Sequence, residues 1–325
     1  MTAKLIDQPG LYDDISEERY HADPVVAPSL SSSVCKKMVG QSPSHAQAAH
    51  PRLNPSLLLN VEAPSKLMDI GTATHKLILG KGRAIVEMPF DDYRKDVAKK
   101  ARDEARRAGR VPILSDDMGR IRRLYEAFRD QIGGTELAPI FDEDGGESEV
   151  TGVWQDLEDA WCRIRIDRLP KGARQGGHIT LVDVKTTGGS AAPEDWQRNA
   201  FDMGYDISAA FYCRGAYALI EAVRSVTMKF VVLEQEEPHG LTIHQFGGQA
   251  HAEAEALVDL GISLWAECLS KNKWPGYQAE TTHIDPPKWR SERAALRKMG
   301  LERYVEVMQR PDHMRALAGK RQAAE

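Results

Sequence analysis

Leu181-Val182-Asp183-Val184-Lys185-Thr186-Thr187 decides how this chain is read. The apolar run from Ile179 to Lys185 follows a turn bearing Gly172, Gly176 and Gly177, and it predicts a strand. Side chains two apart on a strand share a face. Asp183 and Lys185 therefore point one way, while Val182 and Val184 point into a core. A carboxylate beside an ammonium on one strand face can hold a metal ion next to a cationic group. An ordinary exposed ion pair on a half-buried strand has the same spacing, so the neighbouring segments have to decide.

Working upstream, Ala160 to Leu169 predicts another strand, in which Cys162, Ile164 and Ile166 alternate with Arg163, Arg165 and Asp167. An antiparallel neighbour brings Asp167 close to Asp183. Glu147 to Gln155 and a turn at Asp156 to Asp159 complete a hairpin with it, and Glu149 reaches the same face. Carboxylate oxygens suit Mg²⁺, which takes one or two acids and keeps several waters. Without partners these acids are solvated hairpin charges. Further upstream, His75 lies in Gly71-Thr72-Ala73-Thr74-His75-Lys76-Leu77, within a predicted buried helix from Met68 to Leu79. A lone histidine there is a hydrogen-bonded core residue. Joined to the acids, it is one nitrogen ligand in an oxygen-rich set, which fits Mg²⁺ or Mn²⁺.

The remaining chain sets bounds. Its 325 residues are 42% hydrophobic and 28% charged, which excludes disordered and low-complexity classes. A net charge of -5 excludes a globally basic nucleic-acid binder, so any basic surface is local. Cys35, Cys162, Cys213 and Cys268 form no CxxC pair, which argues against a zinc ribbon or redox dithiol and for reduced, buried thiols. No run approaches the roughly 18 apolar residues of a membrane span, and the start lacks a secretory layout. A soluble cytoplasmic protein without membrane partners is expected. Charge is segregated: residues 94–110 and the tail from Lys288 are basic, and 137–159 is acidic. The basic segments read either as tracks for phosphates or as solvated helix faces. Helices are predicted over Val34 to Val39, Asp116 to Ile132, Pro193 to Val223 as one long helix, and Gln249 to Ser270. Strands are predicted over Ser225 to Glu234 and Leu241 to Phe246. This alternation gives an α/β (α+β) fold. An N-terminal segment (1–66), a main domain (67–290) and a charged helical tail (291–325) are expected.

The order of these residues resembles the PD-(D/E)xK nuclease superfamily, and within it the RecB/RecE-like exonucleases of phage or prophage (exonuclease VIII type). Its carriers are His75, Glu149, Asp167 in Cys162-Arg163-Ile164-Arg165-Ile166-Asp167, Asp183-Val184-Lys185 and the Tyr212 helix. Tyr20-His21-Ala22, Ser29-Leu30-Ser31-Ser32-Ser33, Trp274-Pro275-Gly276-Tyr277 and Pro286-Pro287-Lys288-Trp289 extend the likeness over roughly residues 10 to 290. The resemblance implies a restriction-endonuclease-like core, a central mixed sheet flanked by helices. It makes His75, Asp167, Asp183 and the Val184 carbonyl metal ligands for Mg²⁺ (Mn²⁺ substituting), Lys185 the catalytic lysine, and Glu149 and Tyr212 further catalytic positions. Arg163, Arg165 and Ser208 fall at DNA-contact positions. Ser208 stands where the family's Gln-x-x-x-Tyr motif has Gln, and Gln197 is at least a turn away. The cysteines of the iron–sulfur branch are missing.

The activity so implied is 5′-to-3′ digestion of one strand of linear duplex DNA, for recombination by single-strand annealing. The implied partners are double-stranded DNA ends, a single-strand annealing protein and further copies of the chain in a ring. Rival readings are a PD-(D/E)xK endonuclease and a non-catalytic DNA-binding accessory protein. The complete His75, Asp167, Asp183 and Lys185 set favours an enzyme.

Overall fold

The computed structural model describes residues 4–58, 64–277 and 279–309. In chain order the strands are β1 (Gly10–Tyr12), β2 (Leu30–Ser31), β3 (Ile85–Met88), β4 (Val111–Leu114), β5 (Gly146–Gln155), β6 (Trp161–Pro170), β7 (Gly177–Thr187), β8 (Val223–Glu234) and β9 (Leu241–His244). The helices are α1 (Glu17–His21), α2 (Ser32–Gly40), α3 (Pro43–Ala48), α4 (Lys66–Leu79), α5 (Asp96–Arg107), α6 (Ser115–Ile132), α7 (Ala138–Phe141), α8 (Pro193–Asp202), α9 (Tyr205–Leu219), α10 (Gly248–Lys271) and α11 (Lys288–Gln309). One seven-stranded sheet runs β1-β5-β6-β7-β8-β9, with β2 added beside β6. β7 and β8 are parallel, while β5/β6, β6/β7 and β8/β9 are antiparallel. The architecture is a mixed sheet with helices on both faces.

Both faces of the sheet are buried, and this explains the near-continuous apolar runs of β7 and β8. Leu181, Ile164, Ile166 and Phe230 enter one core with Phe211 and Trp265. Val182, Val184, Val231 and Leu233 enter another, with Ile70 and Ile121 of α4 and α6. Truncating any of these to Ala costs about 2–5 kcal/mol. The face that carries Asp183 is therefore not solvent: Asp183 is only 7% exposed. A solvated surface pair does not describe it.

Local sequence fixes the pieces that frame the site. The Ser65 hydroxyl accepts the Met68 N–H and caps α4, and Gly80 closes the helix in the left-handed region (φ 71°). Where one long helix is expected over residues 193–223, there are two. Gly204 (φ 63°) breaks them, and a Cβ there would lie 2.9 Å from Lys36 Cδ. Residues from Val223 onward already belong to β8.

Met1–Tyr277 forms one compact unit and Gln278–Glu325 a second. The N-terminal segment is part of the first unit, because β1 and β2 pair with β5 and β6. The first unit ends at Tyr277, the last residue of the Trp274–Tyr277 motif and short of residue 290. Trp274 packs edge-on against Trp265 at 5.3 Å, and the Ser44 N–H donates to the Pro275 carbonyl, holding the chain to this point. α11 belongs to the second unit. The end of the charged tail, 310–325, lies outside the described residues.

Candidate active site

β6 and β7 share a single register pair, Arg168 with Val182, and then diverge. The divergence would leave the Val184 N–H without a strand partner. Asp167 replaces the missing backbone acceptor, taking that N–H on Oδ2 at 2.8 Å. The same oxygen lies 3.0 Å from His75 Nε2, delivered by α4 across the cleft. Glu149 completes the group, with Oε1 3.5 Å from His75 Nδ1. Glu149 interrupts the β5/β6 ladder at positive φ (58°), between the pairs Ser148–Arg168 and Val150–Ile166. A non-glycine residue there costs on the order of 1 kcal/mol. The Arg165 guanidinium, in a short ion pair with Glu149, holds it in place.

Ligand atoms of His75, Glu149 and Asp167 all lie within 4.8 Å of one another. Among the described residues no other group of three His, Cys, Asp or Glu side chains converges in this way. Asp183 and Lys185 stand beside it, with Lys185 Nζ 2.6 Å from Asp183 Oδ2. That oxygen is buried and makes no aligned hydrogen bond, so the contact is electrostatic. A buried oxygen without a hydrogen bond, two further carboxylates and an imidazole suit a small divalent cation of the Mg²⁺ or Mn²⁺ type. All five residues line one cleft of about 730 Å³.

The charges in the cleft control one another. Burial alone would push the His75 imidazole down, but the Asp167 charge and hydrogen bond, with Glu149, hold it at about 8. Burial, reinforced by Asp167, lifts Asp183 to about 6 even with Lys185 alongside. Burial works against the Lys185 ammonium, yet Asp183 and Asp167 raise its pKa above the ordinary value. Burial and Asp167 also raise Glu149. Burial, with the charges of Tyr20, Asp183 and Asp167, pushes the Tyr212 phenol well above its usual range. Near neutrality His75 and Lys185 therefore stand in the site as cations alongside the Arg165 guanidinium, with a neutral Tyr212 hydroxyl.

Not every residue singled out in the sequence reaches this cleft. Arg163 is 3% exposed, and its guanidinium bonds the Ser29 hydroxyl at 2.7 Å and pairs with Asp23 at 3.2 Å. It ties the N-terminal segment to β6 and has no access to DNA. Its outward register is overridden because β2 and the preceding loop cover that face. Ser208 is also buried, receiving a hydrogen bond from the Ser32 hydroxyl at 2.9 Å, so it offers no contact to DNA. Gln197 does not take the vacated place. It lies on α8 in a separate cavity with Trp196 and Phe201. Arg165 does line the cleft, with its donors engaged by Glu149 and the Ile15 carbonyl. Of the eight acids in 137–159, Glu149 alone joins the donor group. Glu147 and Asp156 are paired with Arg174 and Arg214 instead.

Other residues enter the site without a role there assigned to them from the sequence. Lys36 of α2 and Lys185 lie 5.4 and 5.6 Å from the Tyr205 ring centroid. Tyr20 of α1 packs under Arg165, and Gln235 lines the cleft from the end of β8. Each is brought in by a long-range contact; Tyr20 lies in the Tyr20-His21-Ala22 motif, while no local spacing marks Lys36 or Gln235 as site residues.

A sheet whose strands diverge around Asp167, with Asp183 and Lys185 two residues apart on the next strand, is the core of the PD-(D/E)xK class. Residues 31–285 match the family described as PDDEXK-like domain of unknown function (DUF3799), and the chain belongs to that family. Among solved structures, a candidate exonuclease from Eubacterium rectale is similar at 13% identity, with a TM-score of 0.51 over 84% of this chain and 94% of that one. The protein SSO0001 matches at 11% identity, with a TM-score of 0.26 over 71% and 84% of the two chains. No curated protein matches in sequence. No described helix is long and apolar enough to cross a membrane.

Proposed function

We propose that the protein is a metal-dependent DNA nuclease, specifically an exonuclease that digests one strand of linear duplex DNA from the 5′ end. The observation that carries this reading is the convergence of His75, Glu149 and Asp167 beside the Asp183–Lys185 pair, in an open cleft. The fold shared with the Eubacterium rectale protein over most of both chains supports the exonuclease form.

His75, Glu149, Asp167 and Asp183 hold the ion, with the Val184 carbonyl as a further donor, and Mg²⁺ or Mn²⁺ serves. When bound, the ion supplies a water of lowered pKa and a charge for the phosphate oxygens. Lys185 orients the attacking water and donates to the phosphoryl oxygen as negative charge develops. Tyr212, kept protonated, is a second donor facing the cleft. Arg165 fixes Glu149. Ca²⁺ supports binding without cleavage. The digested duplex leaves a single strand for an annealing partner, and a ring of several copies threaded by DNA, in the cytoplasm, is the working assembly.

The test uses linear and closed circular duplex, with Mg²⁺ or with chelator. Degradation of the linear form alone, abolished by chelator, is expected. Nicking of circles defines an endonuclease, and no product from either form defines an accessory protein.

A further inference from the structure

We propose that Gln235 is a substrate-binding residue whose side-chain oxygen receives an N–H donor of an unpaired nucleobase beside the scissile phosphate. The inference deepens the nuclease reading and rests on it for the identity of the polymer.

Gln235 is 4% exposed, and its backbone is fixed on both sides. Its N–H donates to the Thr187 carbonyl at 2.8 Å, and its carbonyl accepts from Arg120 Nη2 at 3.1 Å. The side-chain amide is oriented as well. Nε2 donates to Thr186 Oγ1 at 3.0 Å and toward the Leu67 carbonyl at 3.4 Å. Two acceptors claim the nitrogen, so the oxygen is the remaining end. Oε1 is buried and has no hydrogen-bond donor. Native proteins rarely leave such an atom unpaired without a reason.

Gln235 lines the same cleft as His75, Asp167 and Lys185. Gly71 makes this placement possible. A Cβ there would come within 2.8 Å of Thr186 Oγ1 and 3.4 Å of Gln235 Nε2, displacing the amide from the wall. His75 follows Gly71 by four residues, about one helical turn. Gln235 thus lines the cleft about one turn of α4 from the ligand group, with its orphan oxygen buried at that wall. On the same stretch Leu67 and Met68 are 49% and 62% exposed, an apolar surface on the cleft wall.

The chemistry of the atom selects its ligand. A carbonyl oxygen repels phosphate oxygens, and the repeating backbone of DNA carries only acceptors. The donors along the strand are the N–H groups of the bases. Leu67 and Met68 offer the base a surface to pack on. Every base has an N–H on its pairing edge, so one acceptor suits any sequence, provided the base is unpaired. The contact therefore favours a strand whose terminal pairs have opened.

The test is a double-mutant cycle. Wild type, Gln235→Met and Gln235→Glu are titrated, with Ca²⁺ present, against single-stranded oligonucleotides that are intact or carry one abasic residue stepped along the strand. At one position wild type should lose about tenfold in affinity for the abasic strand, the size of one hydrogen bond to a buried acceptor. Gln235→Met should bind the intact strand about tenfold more weakly, with no further loss at that abasic position. Gln235→Glu, which keeps the acceptor, should retain the discrimination. Thermal melting checks the fold of each variant. The proposal is overturned if Gln235→Met keeps the full abasic penalty, or if its deficit is the same on intact and abasic strands. A Gln235→Glu protein without discrimination, or a wild type that binds no strand, also overturns it. A wild type that binds strands yet leaves linear duplex uncut with Mg²⁺ refutes the nuclease reading instead, and the cycle still decides the role of Gln235.

Discussion

Replacing Lys185 by Met should separate its two jobs. Lys185 Nζ lies 2.6 Å from Asp183 Oδ2, with side chains 33% and 9% exposed. Deleting one partner of a buried pair can cost about 3–5 kcal/mol. Asp183 has an escape, because burial and Asp167 already hold it at about 6. Without the ammonium, which holds it down, its pKa rises further and it takes up a proton more readily. That limits the penalty to about 1.4 kcal/mol per pH unit of further shift. The partial exposure of Lys185 reduces it again, so the fold should lose only about 1–2 kcal/mol at pH 7. Catalysis should fall far more, by roughly 10²-fold or more, through loss of a donor to the developing charge. Duplex binding should change little, since the phosphate grip is spread over many cations. Lys185→Arg should not rescue, because a planar guanidinium cannot take the place of a compact ammonium against Asp183. The assay is single-turnover cleavage of linear duplex with Mg²⁺, alongside thermal melting and binding with Ca²⁺. A Lys185→Met protein that cuts within threefold of wild type, at the low end of any transition-state contribution, would refute the reasoning.

Three further outcomes follow from the same geometry. His75 is held at about 8 by Asp167 and Glu149 against burial, so a metal must displace its proton. Apparent affinity for Mn²⁺ should climb with pH up to about 8 and flatten above, and calorimetry in two buffers of different ionisation enthalpy should detect the released proton; identical heats in both would count against it. Asp183 is raised by burial from 3.8 to about 6, so its contribution to metal-free stability is fully present below about 3.8 and lost as pH rises through about 6. Asp183→Asn removes that loss: the metal-free variant should melt above wild type at pH 8, by a gap that closes toward pH 5, and should not cleave; a lower melting point at pH 8 contradicts the sign. Arg163→Met strands Asp23 in the interior and should cost about 3 kcal/mol, softened by the nearby His50 and Arg52. The folded fraction should bind duplex within twofold of wild type, whereas a stable protein with weak binding would return Arg163 to the DNA surface.

The strands were legible because their signal is local. The alternation in Cys162 to Asp167 and the apolar run through Asp183 each follow from a period of two residues. His75, Asp167 and Asp183 stood out because motif order carries them, and the fold brings all three to one cleft. What the sequence concealed depends on coverage. Arg163 and Arg165 have the same register and the same local chemistry. One is sealed under the Ser29 loop and the other opens into the cleft, because the N-terminal segment lies on only part of β6. The break at Gly204 was hidden by helix formers on both sides; the backbone turns left-handed there, and the Lys36 stem from a distant helix packs where a Cβ would stand. Gln235 sits past the end of a strand in a turn-like sequence. Nothing nearby marks its amide as buried.

The charge balance of the cleft explains why such a site can be folded before it is used. Three carboxylates, Glu149, Asp167 and Asp183, crowd into a poorly solvated space, and like charges there repel strongly. The strain is met by the cations already present, among them Arg165 beside Glu149. His75, held above its ordinary pKa, lies 3.0 Å from Asp167 and 3.5 Å from Glu149. Lys185 covers Asp183. The imidazolium thus lies between the two carboxylates that converge with it as candidate ligands for a divalent ion. Exchange of that proton for a metal replaces one positive charge by two. It costs little reorganisation, because the Val184 N–H and Arg165 already pin Asp167 and Glu149. Lys185, paired with Asp183, would not have to be displaced by such an exchange. It would keep its charge beside a bound ion, where an ammonium could meet a phosphate.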